Sequence, residues 1–442
     1  MTPENPISHE DMTGFAPDNP NPDTRYGLPQ TIQFCRKCVI SNQRPNSTPE
    51  FLHTSGSKKT VIAMDEDGVC DACRVAEGKE TIDWEARDAE LRELCDHHRR
   101  NDGHYDCIAP GSGGKDSFYA SHILKYEYGM HPLTVTWAPH IYTEWGWRNF
   151  QKWIHSGFDN MLITPNGRVH RLLTRLAFEK IFHPFQPFVL GQKNLGPRMS
   201  ALHNVPLVFY GENEAEYGNP KSDNESALRD QQFHAAMDKE KFHLSGVSIA
   251  ELAADYGITD NDLDFYLPAD PETLQKTKTE VHYLGYYLKW HPQGCYYYSV
   301  EHGGFEPSPM RTPGTYSKYN SIDDRIDDFH YYTSFIKFGI GRATADAAQE
   351  IRSGELTRDE GVALVRRYDG EFPERFADEI LKYISIDADE FGAVSEAFEN
   401  PIMTRELFHR LADQFRSPHL WKHENGSWAL RDTVWHETAG DS

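Results

Sequence analysis

YDCIAPGSGGKDSFYASHILKYEYG, residues 105–129, is the stretch that decides the fold. An apolar, extended run enters a cluster of glycines, and a helix-like run leaves it. Gly111, Gly113 and Gly114 let the backbone approach a ligand with no Cβ in the way. Successive N–H groups in such a turn form an anion nest. A helix starting near Asp116 adds the positive end of its dipole. Ser112 and Ser117 offer hydroxyls, and Lys115 offers a point charge. Asp116 either caps the helix or holds Mg²⁺ beside phosphates. The plain alternative is a glycine-rich strand-to-helix turn with an Asp cap.

Two commoner phosphate cradles do not fit. G-x-x-x-x-G-K-[ST] fails, because Asp116 follows Lys115 and Ala109 stands five residues before Gly114. G-x-G-x-x-G fails at its third glycine, where Asp116 stands. What remains, S-G-G-K-D-S over residues 112–117, resembles the PP-loop of the ATP pyrophosphatase superfamily. Members of that superfamily split ATP between the α and β phosphates. Their loop holds the departing pyrophosphate while AMP is attached to the substrate.

Outward from the loop, strands and helices alternate. PLTVTW (132–137), NMLITP (160–165) and VPLVFYGEN (205–213) read as further strands. Tyr119, Ile123 and Tyr126 mark a first helix, Trp147, Phe150 and Ile154 a second, and Val169, Leu172, Leu173 and Leu176 a third. GQKNLGPRMSALHN (191–204) reads as a connection. The alternation predicts an α/β fold with a doubly wound, Rossmann-like parallel sheet and ligands at the carboxyl ends of its strands. The expected organisation is an N-terminal segment with a cysteine module over 1–80, irregular to about residue 30. The α/β domain follows over 81–300, entered through a charged helix near 81–102 and carrying an acidic, helix-prone insertion near 221–280. A mostly helical region is expected over 301–442. TRDEGVALVRRYDG within it has a capping box, Thr357 to Glu360, and a terminal Gly370.

Seven cysteines stand at 35, 38, 70, 73, 95, 107 and 295. An odd count does not suggest disulfides. Cys35 with Cys38 (CRKC) and Cys70 with Cys73 (CDAC) can close one tetrahedral thiolate site that suits structural Zn²⁺, with an iron–sulfur cluster as the alternative. Cys95, Cys107 and Cys295 lack ligand spacing and read as packing residues. The 442 residues carry 45 Lys and Arg against 68 Asp and Glu, a net charge of −23, which makes nucleic acid an unlikely partner. With 24 Phe, 22 Tyr and 9 Trp, wholesale disorder is excluded. No apolar run approaches the ~18 residues of a membrane span. The N-terminus lacks the features of a secretory signal, so the expected location is cytoplasmic.

CRKCVISNQRP, GVCDACR, SGGKDSFYASHIL, WAPHIYTEWGWRNFQ, GQKNLGPRMS, FYGENEAEYG, DDFHYYTSFIKFGIGRATADAAQEIR and VRRYDGEFP together resemble the N-acetyl sugar amidotransferase family. The resemblance runs from about Phe34 to about Pro373. It implies acetamidino-sugar chemistry for lipopolysaccharide O-antigens and flagellar glycans, alongside enzymes of pseudaminic and legionaminic acid modification. ATP would adenylate an acetamido oxygen, and ammonia would then displace AMP. Gly111, Ser112, Gly113, Gly114, Lys115, Asp116 and Ser117 are expected on the ATP phosphates, with Asp116 on Mg²⁺. Glu212, Glu214 and Glu216 stand just past a strand end, to bind Mg²⁺ or to orient sugar hydroxyls and ammonia. Lys193 and Arg198 are expected on phosphate or a sugar carboxylate. The 301–442 region is then the expected sugar-binding and partner-docking side, with Asp327, Asp328, His330, Lys337 and Arg342 on the sugar. The catalytic set is then Lys115, Asp116, Lys193, Glu214 and Glu216. The competing readings are a PP-loop tRNA-modifying enzyme, such as a thiolase, and a non-catalytic zinc-ribbon scaffold.

A nitrogen source is the remaining requirement. No G-x-C-x-G elbow occurs, Cys295 lies in QGCYY, and residue 2 is Thr rather than Cys. The chain is therefore expected to take ammonia from a separate glutaminase. The family resemblance implies a partner of this kind and an ammonia-conducting subunit, like the two subunits of imidazole glycerol phosphate synthase.

Overall fold

In the computed structural model, residues 12–437 are described. The first eleven residues of the segment read as irregular, and the last five of the helical region, lie outside this range. Five strands form one parallel sheet: β1 (Cys107–Pro110), β2 (Pro132–Trp137), β3 (Asp159–Ile163), β4 (Leu207–Tyr210) and β5 (Glu280–Tyr283). Their order is β3-β2-β1-β4-β5, and each pairing is parallel. The chain therefore reverses its winding beside β1, and a crevice opens between the carboxyl ends of β1 and β4.

Side chains alternate across the sheet with the period of two that a strand imposes. Cys107, Leu207 and Phe209 pack on Ala120, Ile123 and Leu124 of α3 (Lys115–Tyr126). Ile108, Val135 and Val208 pack on the other side, against Leu172 and Leu176 of α5 (Gly167–Ile181) and Leu195 and Met199 of α6 (Gln186–His203). Both faces are thus covered, which is why these strands read as nearly unbroken apolar runs. α4 (Glu144–His155), capped by Thr143, lays Phe150 and Trp153 beside Phe118 of α3.

GQKNLGPRMSALHN is the body of α6 and not a connection. Pro197 sits inside this helix, where its missing N–H leaves the carbonyl of Lys193 without a helical partner. That carbonyl accepts instead from the Tyr210 hydroxyl at 3.3 Å and from Arg229 Nη1 at 3.3 Å. Gly191 lets α6 lie directly on β2, because a Cβ there would overlap the Trp137 indole.

The insertion differs from its helix-prone reading. Residues 221–248 are 3-10 turns and a two-residue hairpin, and three short helices, Ile249–Tyr256, Asp260–Leu263 and Pro271–Thr277, precede β5. β5 itself was masked in the sequence by its length of four residues and its His and Glu. Upstream, α1 (Asp71–Gly78) carries the second cysteine pair, and α2 (Trp84–His98) is the charged helix leading into β1. Downstream come α7 (Pro292–Gly303), α8 (Asp327–Phe338), α9 (Arg342–Arg352) and α10 (Arg358–Tyr368). α10 has the expected capping box at Thr357 and Glu360. A hairpin, Trp421–Glu424 with Ser427–Leu430, interrupts the helical character near the C-terminus. Among the described residues no helix is long and apolar enough to cross a membrane.

The Gly191 contact makes a test of the α6 packing. Gly191→Ala should lower the unfolding free energy by about 1–3 kcal/mol through overpacking. Gly167→Ala, at the first turn of α5 with nothing within 4 Å of its Cβ position, should hold stability or raise it by up to about 1 kcal/mol. Urea unfolding of both variants checks the pair, and equal effects would contradict this packing.

Candidate functional site

The glycine loop turns between β1 and α3, at the crevice. Gly113 has φ of +83°, and a Cβ there would lie 2.7 Å from Phe150 Cα, so only glycine fits without displacing α4. The loop is held from within. Gly113 N–H donates to Ser117 Oγ at 3.2 Å, and Ser117 Oγ donates to the Gly114 carbonyl at 3.1 Å. Gly111 N–H continues the sheet by donating to the Val135 carbonyl at 2.9 Å.

Gly114 is the N-cap of α3, with no side-chain cap bond. Of the two roles open to Asp116, capping is therefore not the one it adopts. Its carboxylate takes Lys115 Nζ at 2.6 Å on each oxygen. Burial opposes the charge of Lys115, but Asp116 and Glu212 outweigh it and hold the ammonium above its usual range. Glu212, just past β4, also lies near Asp116. Burial and the Asp116 charge together push its carboxyl up to about 7. These two carboxylates, beside the N-terminus of α3, are oxygen donors of the kind that suits Mg²⁺.

These groups line one cleft of about 490 Å³. Its second wall carries Lys193, Glu214 and Arg229. Lys193 lies 3.4 Å from Glu214. Burial raises Glu214, but Lys193 and Arg229 prevail and keep it below its usual range. Arg229 is 5 % exposed, and its Nε and Nη2 have no hydrogen-bond partner. Its third wall comes from the far end of the chain, with Asp323, Asp327, His330 and Tyr331. Burial raises Asp323, which a hydrogen bond from Ser112 of the loop partly offsets. Burial also drives Asp327 well above its usual range, against the pull of Arg342. His330 falls to about 4 through burial.

Several expected residues lie elsewhere. Arg198 points away from the cleft and pairs with Asp264 at 2.5 Å, tying the insertion to α6. Glu216 turns toward the cysteine module and meets Lys79 at 2.6 Å. Asp328 is buried against Arg375 at 3.1 Å. Burial, opposed by Arg375, raises Asp328 to about 6. Arg342 lies beneath the Tyr331 ring, 3.2 Å from Asp346 and 3.9 Å from Asp327, so it positions Asp327 from behind. Lys337 donates to the Ile181 carbonyl at 2.7 Å and lines an adjoining cavity.

Two cleft residues escaped the sequence reading. Arg229 is the lone Lys or Arg between Lys221 and Lys239 in an acidic stretch, which was the available signal. Asp323 belongs to IDDRIDD (322–328), where two acidic pairs recur four residues apart. The second pair, Asp327 and Asp328, is the one expected on the sugar side.

The four module cysteines come together as expected. Cys35, Cys38, Cys70 and Cys73 are buried, with their sulfurs within 4.8 Å of one another. Cys35–Cys73 and Cys38–Cys70 are each separated by 3.8 Å. Four sulfurs at ~2.3 Å from a tetrahedral Zn²⁺ stand ~3.8 Å apart, so the set fits that ion. Backbone N–H groups of Lys37, Cys38 and Cys70 donate to Cys35 Sγ at 3.4, 3.5 and 3.3 Å, which favours a thiolate. Cys95, Cys107 and Cys295 are buried.

Residues 313–434 match a family model described as "LPS biosynthesis protein WbpG-like, C-terminal domain". Over this stretch, which carries Asp323, Asp327 and His330, the chain is similar to proteins of lipopolysaccharide biosynthesis. An uncharacterized protein of Methanocaldococcus jannaschii is 33% identical over 84 residues. That match covers 19% of this chain and 30% of the relative.

Metal analysis of the purified chain should find one Zn²⁺ per molecule. Cys70→Ser should lose the metal and lower the thermal unfolding midpoint. A folded, metal-free native protein would contradict a structural zinc site.

Proposed function

We propose that this chain is an ATP-dependent N-acetyl sugar amidotransferase serving lipopolysaccharide or related surface-polysaccharide synthesis. One observation carries the reading. A single cleft gathers the glycine loop, Lys115, Asp116 and Glu212 at the sheet's switch point, together with Asp323 and Asp327 from the stretch that resembles lipopolysaccharide-synthesis proteins.

An acetamide is a poor electrophile, so its oxygen must first become a leaving group. In the proposed reaction the acetamido oxygen attacks the α-phosphorus of ATP. The bond from that phosphorus to the bridging oxygen breaks, and pyrophosphate departs. The N–H groups of Ser112, Gly114 and Lys115, the α3 dipole and the Lys115 ammonium are set to receive that charge. Mg²⁺, held by Asp116 and Glu212, would supply further neutralisation of the phosphates. Arg229, with two unpartnered nitrogens in the cleft, is a second phosphate contact. Ammonia then adds its lone pair to the activated carbon. The carbon–oxygen bond breaks, AMP leaves with the former acetamide oxygen, and an amidinium remains. Ammonia gives up one proton in this step. Asp327, which lines the cleft with Arg342 3.9 Å behind it, is placed to take it. No side-chain nucleophile is needed, and positioning supplies most of the rate.

With Mg-ATP, ammonium salt and a panel of N-acetylated sugars, the chain should release AMP and pyrophosphate in equal amounts. Asp116→Ala should cut this about 100-fold or more. A sugar labelled with ¹⁸O in the acetamide should deliver the label to AMP. Label retained in the sugar product, or formation of ADP and phosphate, would overturn the reaction. Release driven by tRNA instead would favour a thiolase.

The nitrogen source has its own test. The isolated chain should use ammonium salt at raised pH and not glutamine. Turnover on glutamine alone would remove the need for a separate glutaminase.

A further inference from the structure

Behind the cleft lies a second cavity of about 380 Å³. Val189, Tyr217 and His330 line both spaces, so the two adjoin. The cysteine module supplies one wall with Arg44, Glu50 and Lys59, and α8 supplies the other with Lys337. None of the three cations forms an ion pair among the described residues. Arg44 Nη1 donates to the Pro45 carbonyl at 3.1 Å, Lys59 Nζ to Thr48 Oγ1 at 3.1 Å and Lys337 Nζ to the Ile181 carbonyl at 2.7 Å.

Among the described residues the one carboxylate lining this cavity is Glu50, 3.6 Å from His53 Nδ1. Glu214, whose charge acts on Arg44, is itself paired with Lys193 at 3.4 Å. Arg352 also lines the cavity, but its guanidinium sits beside Cys38 and balances the thiolate cluster. Three cationic side chains thus face one carboxylate in a space partly withdrawn from bulk water. Buried charge is costly unless it is paired. Burial and the nearby Lys59 charge accordingly push Lys337 down to about 7. The same walls hold unused acceptors, since Glu50 Oε2 and Asn46 Oδ1 are buried with no hydrogen-bond partner.

A ligand that satisfies both needs carries an acid group for the cations and hydroxyls for the acceptors. We infer that this cavity receives the acid group, carboxylate or phosphate, of a polyhydroxylated N-acetyl sugar whose acetamido group reaches into the cleft. The N-acetyl element rests on the amidotransferase reading, whereas the charge of the cavity does not. The zinc module is then part of the substrate site, because it contributes Arg44, Glu50 and Lys59.

The test is equilibrium titration of the intact protein, with Mg²⁺ and α,β-methylene-ATP present to fill the loop. The probes are N-acetylglucosamine 1-phosphate, N-acetylneuraminate and neutral N-acetylglucosamine. At least one acidic sugar should bind about tenfold more tightly than the neutral one. Lys337→Met and Arg44→Gln should each remove most of that preference and leave the affinity for the nucleotide analogue unchanged, which also reports that they fold. Whichever acidic probe binds more tightly identifies the acid group. Equal binding of acidic and neutral sugars, no binding of either acid, or a preference that survives both substitutions would overturn the inference. Failure of the analogue to bind, with an acid preference still dependent on Lys337, would instead count against the ATP reading.

Discussion

Asp324 is the tie on which the cleft depends. Its carboxylate accepts from the backbone N–H of His140 at 2.7 Å, of Ile141 at 3.3 Å and of Ile326 at 3.1 Å. One oxygen also lies 2.7 Å from His140 Nδ1. The partners are 184 residues apart in sequence, and their side chains are 0% and 2% exposed. His140 in turn stacks on Phe188 of α6. A hydrogen-bonded carboxylate so deeply enclosed is costly to leave unmatched, by about 1–3 kcal/mol or more. It fixes the strand-end segment after β2 to the stretch entering α8. That attachment brings Asp323 to Ser112 and Asp327 into the cleft wall, and so makes a cleft out of what would be an open strand end.

The charge of the molecule is distributed to match. Net charge is −23, yet cations are gathered inward. Lys115, Lys193 and Arg229 line the cleft, and Arg44, Lys59 and Lys337 line the cavity behind it. Low-dielectric walls strengthen such local fields. The cysteine module is no appendage in this arrangement. Val39 and Ile62 pack with Ala347 and Ala348 of α9 and with Val362 and Val365 of α10, so a metal bound there would brace the wall that carries Arg44 and Lys59.

The sheet was largely legible because β1, β2 and β4 are buried on both faces, which leaves apolar runs bounded by glycine and proline. β5 was not legible. Glu280 and His282 interrupt its pattern, and tertiary pairing with β4 makes it a strand. α6 was hidden by Gly191, Gly196 and Pro197, which ordinarily break helices. Here close packing on β2 and substitute donors to the Lys193 carbonyl offset that tendency. At the site, residues of the loop could be read from local spacing. Glu216, Arg198 and Asp328 could not, because each is claimed by a partner distant in sequence. Asp323 and Arg229 gain their meaning only from the long-range contacts that bring them to the loop.

The central claim is that the loop at the switch point holds the β and γ phosphates of ATP as a leaving pyrophosphate. Competition binding tests it directly. Mg²⁺ with α,β-methylene-ATP should bind the chain, inorganic pyrophosphate should displace it competitively, and Gly113→Val, which drives a side chain into Phe150 of α4, should abolish both interactions. Nucleotide binding that pyrophosphate cannot displace, or that survives Gly113→Val unchanged, would contradict the account.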